Sequence, residues 1–219
     1  MGAVKQLILK RRSKMEETYW GVISKETNKN SPDKIDKTIS YCETIGNQIY
    51  FYSDIETPSI LKLTKELLLL SNKLLYQKIT DDTNNQNIVL NIKSFGGYFF
   101  SGIAGMDKII TSHIPITTII DGCCASAATF LSLVGERRKI HSHAYMLIHQ
   151  LSSSFWGKYS DFEDEKINLD KMMDTIKEIY NYYTKVPEKK INQILKHDIW
   201  FTAQECLDYG MVDEIYKNT

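Results

Sequence analysis

Between residues 47 and 142 the chain alternates between short apolar runs and longer helical segments, an order that few architectures accept. "NQIYFYSDI" (47–55), "NIVLNI" (87–92) and "ITTIID" (116–121) read as strands. "TPSILKLTKELLLLSNKLLYQKI" (57–79) reads as a helix. Thr57 can cap it, and Pro58 falls in the first turn, where a missing N–H costs nothing. The dense leucines of this helix predict that most of it is buried. A second helix runs through "IAGMDKIITS". Strands joined by helices pair in parallel through right-handed crossovers, so the expected class is α/β with a mostly parallel sheet.

Further along, "AYMLIHQ" (144–150) reads as a strand ending at His149. Residues 159–185 contain neither Pro nor Gly and predict one long helix; 187–196 predict a shorter one. Thr202 and Glu205 have the spacing of a capping box for "AQECLDYG", which Gly210 would end, and "MVDEIY" (211–216) reads as a last strand. Residues 1–45 are polar and partly irregular, with "SKETNKNSPDK" (24–34) a loop, and "DDTNNQ" is another. The expected organisation is a polar segment over 1–45 followed by one domain over 46–219.

Charge and cysteine usage narrow the function. Lys+Arg and Asp+Glu are both 27, so no excess of either sign points to nucleic acid or to a cationic partner. Lys5, Lys10, Arg11, Arg12 and Lys14 read as a solvated basic terminus. No apolar run approaches the roughly 20 residues of a membrane span, and the N-terminus lacks the apolar core of a secretory signal. Gln6 breaks the myristoylation pattern that Gly2 would begin. Cys42, Cys123, Cys124 and Cys206 form no CxxC pair and no metal-ligand spacing. The expectation is a soluble protein of a reducing compartment, cytoplasm or organelle matrix, with neither metal nor cofactor.

The stretch "GCCASAATF" (122–130) places Ser126 where a strand gives way to a helix. One role there is a plain helix cap. The other is a hydroxyl held exposed beside free backbone N–H groups. "SFGG" (94–97) also follows a strand, and in a parallel sheet the carboxyl ends of strands share the edge where ligands sit. His149 closes a strand, and Asp198 lies just before the Thr202 cap. Ser, His and Asp are the parts of an activated nucleophile. His113, His141, His143 and His197 leave the choice of histidine open on composition alone.

"SFGG", "GCCAS", "LIHQ", "DIWFTAQEC" and "YGMVDEI" occur in this order, and over residues 46–217 the chain resembles the Clp protease proteolytic subunits, the ClpP family. The resemblance implies a ClpP/crotonase-type fold of stacked β-β-α turns with a protruding handle helix at about 159–185. It implies a serine endopeptidase with Ser126 as nucleophile, His149 as base and Asp198 as orienting acid. The oxyanion donors would be the backbone N–H groups of Gly97 and Ala127. It also implies two stacked seven-membered rings of identical subunits, unfolded polypeptides as substrates, and an AAA+ unfoldase as partner. "LSSSFWGKYS" (151–160) matches the strand at the root of the handle, and the handle's apolar positions include Phe162, Ile167, Leu169, Met172, Met173, Ile176 and Ile179.

Departures from the family pattern carry expectations of their own. Phe95 replaces a proline and adds an aromatic to the cleft. Ala127 replaces a methionine and enlarges the pocket for the residue before the cut. Val89 and Asn91 stand where tyrosines line the unfoldase pocket. Cys124, two positions before Ser126, should face away from the site. His197 replaces an arginine that pairs across the rings with an acid near Asp161, which would make ring pairing sensitive to pH. Other readings of the same motifs are a crotonase acting on acyl-CoA, a phage-type capsid-maturation protease and an inactive scaffold subunit. The crotonase needs no Ser–His–Asp set, and inactive subunits usually lack one member of it.

Overall fold

The computed structural model describes residues 41–80 and 87–216. The loops and the basic terminus expected at 5–14, 24–34 and 81–86 lie outside the described residues. Strands β1 (Tyr41–Ile45) and β2 (Gln48–Tyr52) form an antiparallel hairpin, so residues 41–45, the end of the polar segment in the sequence reading, belong to the sheet. Helix α1 (Thr57–Thr80) crosses from β2 to β3 (Ile88–Ser94), and α2 (Phe99–Ile110) crosses from β3 to β4 (Ile116–Ala125). Both strand pairs are parallel. After α3 (Ala128–Leu133), β5 (Arg137–His141) pairs in parallel with the first half of β4.

Midway along β4 the pairing changes. Ile92 faces Ile120, but Ser94 faces Cys124, so β4 takes two more residues than β3 over the same stretch. The extra residues include Gly122, whose φ of 79° a side chain would disfavour. Beyond this bend, Cys123–Ala125 pairs in parallel with β6 (Tyr145–Leu147). Strand β6 in turn pairs antiparallel with β7 (Trp200–Thr202). Helices α4 (Tyr159–Tyr183) and α5 (Glu188–Ile194) come between β6 and β7 in the chain, α6 (Ala203–Asp208) follows β7, and β8 (Glu214–Tyr216) closes on β5 in parallel. The Thr202–Glu205 capping box forms at the start of α6 as its spacing predicts.

The core lies between the sheet and the helices, with Phe51, Leu63, Leu90, Ile120, Leu131 and Ile140 fully or almost fully buried. Helix α1 corrects the expectation drawn from its leucines. Only Ser59, Ile60, Leu63, Leu67, Leu70, Ser71 and Leu74 are buried, one stripe at helical spacing. Leu61, Leu68 and Leu69 are exposed, at 68%, 60% and 55%. Along α4 only Ile176, Ile179 and Tyr180 are buried, near its C-terminal end. Phe162 and Ile167 are exposed, and Leu169, Met172 and Met173 are half-buried. Residues 151–158 form no strand, because the described chain brings no strand alongside them to complete a ladder.

Strands β5 and β7 lie outside the sequence reading. Strand β5 is fastened by charge. Arg138 Nη2 donates to Asp213 Oδ1 at 2.5 Å, Arg138 Nε to Asp213 Oδ2 at 3.1 Å, and Arg138 Nη1 to the Tyr183 carbonyl at 2.5 Å. One side chain thus joins β5, the approach to β8 and the end of α4. Burial pushes the Asp213 carboxyl up, but hydrogen bonds and charge from Arg138 outweigh it and hold the group below its ordinary range. A lowered carboxylate stabilises the fold above its unfolded value and loses that contribution as pH falls through the folded one. Replacing Arg138 by Met should cost about 1–2 kcal/mol at pH 7. By urea unfolding, the gap to wild type should narrow below about pH 4, where an unfolded Asp protonates. An equal gap at both pH values would assign the loss to packing of the arginine stem.

Candidate active site

The register of three strands assembles the site. Ala125 of β4 pairs with Leu147 of β6, and Leu147 pairs with Trp200 of β7. Ser126 follows the first by one residue and His149 the second by two. Asp198 precedes the third by two on an antiparallel strand, so all three emerge at the same edge of the sheet. There His149 Nε2 lies 2.8 Å from Ser126 Oγ, and His149 Nδ1 lies 2.7 Å from Asp198 Oδ1. The imidazole is mostly shielded, at 17% exposure, while the Asp198 carboxylate is 45% exposed. The arrangement can pass the hydroxyl proton to the ring and stabilise the resulting imidazolium. The other described histidines, including the exposed His197, take no part in it.

Ser126 has φ 54°, the only positive φ of a non-glycine among the described residues. Such a conformation costs about 1–2 kcal/mol and persists only where its surroundings enforce it. Its N–H donates to the Leu147 carbonyl at 2.9 Å. Its carbonyl accepts from Thr129 N at 2.9 Å and from Thr129 Oγ1 at 2.6 Å. Thr129 Oγ1 in turn lies 2.8 Å from the buried Tyr180 hydroxyl of α4. Sequence reasoning missed Thr129 and Tyr180, because nothing in their spacing distinguishes them from core positions.

The "SFGG" turn lies against this serine. A Cβ on Gly96 would meet Ser126 Cβ at 2.6 Å and the Ala125 carbonyl at 2.7 Å; one on Gly97 would meet the Ile55 carbonyl at 2.4 Å. Both glycines also have positive φ. Ile55 N donates to Gly96 O and Tyr98 N to Ile55 O, both at 2.8 Å, so the bridge to Ile55 uses the groups flanking Gly97. The N–H groups of Gly97 and Ala127 have no backbone partner among the described residues. Both residues line a cavity of about 300 Å³ that also contains Ser126 and His149. Its apolar wall includes Phe130, Leu169, Met172 and Ile176.

Other expectations sort as follows. Cys124 is fully buried and does not line the cavity, and burial raises its thiol well above the ordinary value, which keeps it protonated. Cys42 is likewise pushed up to about 11 and Cys206 to about 12 by burial. Phe95 meets Trp200 edge-on, with centroids 6.3 Å apart, and does not line the cavity. Asn91 is buried and donates to Gln48 Oε1 at 3.2 Å. Asp161 Oδ2 accepts from Lys158 N at 2.9 Å at the start of α4. No described helix is long and apolar enough to cross a membrane.

The Clp protease family model matches residues 45–219, which include every residue of this site. The chain is 28% identical over 154 residues to the ATP-dependent Clp protease proteolytic subunit of Deinococcus radiodurans, covering 68% of this chain and 76% of that protein. It is 29% identical over 198 residues to proteolytic subunit 1 of the same protease in Protochlamydia amoebophila, covering 88% and 92%. Among solved structures it is similar to a mutant of ClpP1 from Listeria monocytogenes, with TM-score 0.67 and 24% identity over 78% of this chain and 92% of that one. That last likeness is one of fold.

The contacts of Gly96 separate steric need from backbone preference. Gly96→Ala adds a clash to an unfavourable φ and should cost about 2 kcal/mol or more. Gly46→Ala, at φ 65° with nothing within 4 Å, should cost only about 1 kcal/mol. Equal losses in chemical unfolding would mean that the turn does not rest on Ser126 as tightly as these distances state.

Proposed function

The chain belongs to the Clp protease family and is a Clp-type peptidase, and on that premise we propose that Ser126, His149 and Asp198 carry its chemistry as a serine endopeptidase. The observation behind this reading is the unbroken chain of 2.8 Å and 2.7 Å contacts through His149, ending on a serine in the left-handed region. Serine oxygen is a weak nucleophile until a base takes its proton, and imidazole suits that task near neutral pH. Ser126 Oγ attacks the scissile carbonyl carbon while its proton passes to His149 Nε2. Asp198 holds the ring through Nδ1 and balances its charge. The carbonyl oxygen becomes an oxyanion facing the N–H groups of Gly97 and Ala127. Collapse returns the proton from His149 to the leaving amine. Water then repeats the sequence on the acyl-serine and restores the hydroxyl.

The protease is an oligomeric assembly by its family, and the finer proposal is two stacked heptameric rings of this chain. Leu61, Leu68 and Leu69 on α1, with Phe162 and Ile167 on α4, give exposed apolar area that such contacts would cover. An AAA+ unfoldase would feed unfolded polypeptide to the chamber. Val89 on β3 is half-buried and Asn91 is buried against Gln48, so neither offers the aromatic docking surface of the family pattern. An inactive scaffold fits poorly with a complete hydrogen-bonded triad.

Ser126→Ala should lower hydrolysis of a fluorogenic peptide by at least about 10⁴-fold, with the circular dichroism spectrum unchanged. Cys124→Ala should remain active. Full activity in a folded Ser126→Ala variant would remove the assignment. For assembly, sedimentation should give a species of fourteen chains, and a monomer at micromolar concentration would contradict the rings.

A further inference from the structure

The cavity beside Ser126 contains one feature that the triad does not use. Glu165, from the first half of α4, lines it, and no Lys or Arg does. Glu165 is half-buried. Its Oε1 accepts from Ser153 Oγ at 3.4 Å, the outer limit of a hydrogen bond, and no cation pairs with it among the described residues. The adjacent Lys166 is engaged elsewhere, with its Nζ 2.5 Å from Asp170 Oδ2. A carboxylate drawn partly out of water without a cationic partner is best satisfied by a ligand that brings the cation.

The rest of the cavity restricts what kind of cation that is. Phe130, Leu169, Met172 and Ile176 offer apolar wall, which suits the methylene stem of a long side chain rather than a compact ion. At about 300 Å³ the volume is at the small end for ligand pockets, enough for one large side chain. With a scissile carbonyl at Ser126 and its oxygen toward Gly97 and Ala127, the side chain on the acyl side of the bond has the Ala127–Phe130 wall beside it. We infer that this chain selects substrates with lysine or arginine immediately before the scissile bond, with Glu165 as the residue that sets the preference. An acidic side chain would meet Glu165 at close range and be rejected, and an apolar one would leave the carboxylate without a partner. The inference rests on the proposed peptidase chemistry at Ser126.

The test is a set of fluorogenic peptides that differ only in the residue before the cut, being Lys, Arg, Met, Leu or Glu. Active-site concentration is fixed beforehand by titration with a fluorophosphonate. For the wild-type assembly, kcat/KM for Lys and Arg should exceed that for Met by about tenfold or more, with Glu lowest, as expected for a paired charge in a partly shielded site. Glu165→Gln should collapse the Lys-to-Met ratio by about the same factor, and Glu165→Lys should move the preference toward Glu. Normalising to titrated sites and comparing ratios within each variant separates selectivity from any loss of folded enzyme. Labelling without a basic preference, or a basic preference unchanged in Glu165→Gln, would overturn the inference and leave the peptidase reading intact. Absence of labelling in the folded assembly would overturn both.

Discussion

The ladder that fastens Cys123–Ala125 of β4 to β6 is the contact on which the site depends. It exists because β4 changes neighbours midway. Up to Ile120 the strand lies between β3 and β5; past Gly122 it pairs with β6. A straight β4 would carry Ser126 along β5, away from His149. The bend sets Ala125 beside Leu147, and β7 adds the third member of the row. A slip of one residue in either pairing would turn alternate side chains to the opposite face and separate the three groups. Hydrogen bonding from Ser126 N to the Leu147 carbonyl then ties the backbone of Ser126 to the strand that carries His149.

The turn at Ser126 is strained, and its surroundings offset that strain. The Ser126 carbonyl takes two hydrogen bonds from Thr129, and Thr129 is bonded to Tyr180. Thr129 and Tyr180 are almost fully buried, so these bonds face little competition from water. Tyr180 belongs to the packed end of α4, whose other half has exposed Phe162 and Ile167. The long helix is therefore joined at one end to the Ser126 turn and at the other offers apolar surface. Gly96 supports the turn from the far side, where any Cβ would collide with Ser126.

What the sequence made legible follows from how local each signal is. The Thr202–Glu205 cap, the helix over 57–79 and the parallel β-α-β order are set by residues within a few positions of one another, and each appears as read, whereas Thr57 is the first helical residue of α1 and not its cap: the Glu56 carbonyl takes the first helical bond, from Ile60 N, and Ser59 Oγ accepts from Glu56 N. Strand β5 was not legible, because "RRKIH" looks like solvated charge until Asp213 and Glu214 arrive from the C-terminal end of the chain. Strand β7 has three residues and no periodicity to detect; it exists because β6 is there to pair with it. The leucines of α1 misled for the opposite reason, since apolar content does not say which face the domain buries and which it leaves exposed. His149 could not be chosen from five histidines by composition, whereas the order of motifs selected it and strand register placed it beside Ser126. Glu165 lay beyond sequence reasoning altogether, because its cavity forms only when α4 packs beside Ser126.

Strand register sets Ser126 Oγ 2.8 Å from His149 Nε2, and the proposed chemistry makes this serine an activated hydroxyl. Intact mass spectrometry after fluorophosphonate treatment, followed by peptide mapping, decides whether it is. One adduct per chain is expected, located on Ser126, and none in a folded His149→Ala variant. An adduct on any other residue, or an undiminished Ser126 adduct without His149, would contradict it.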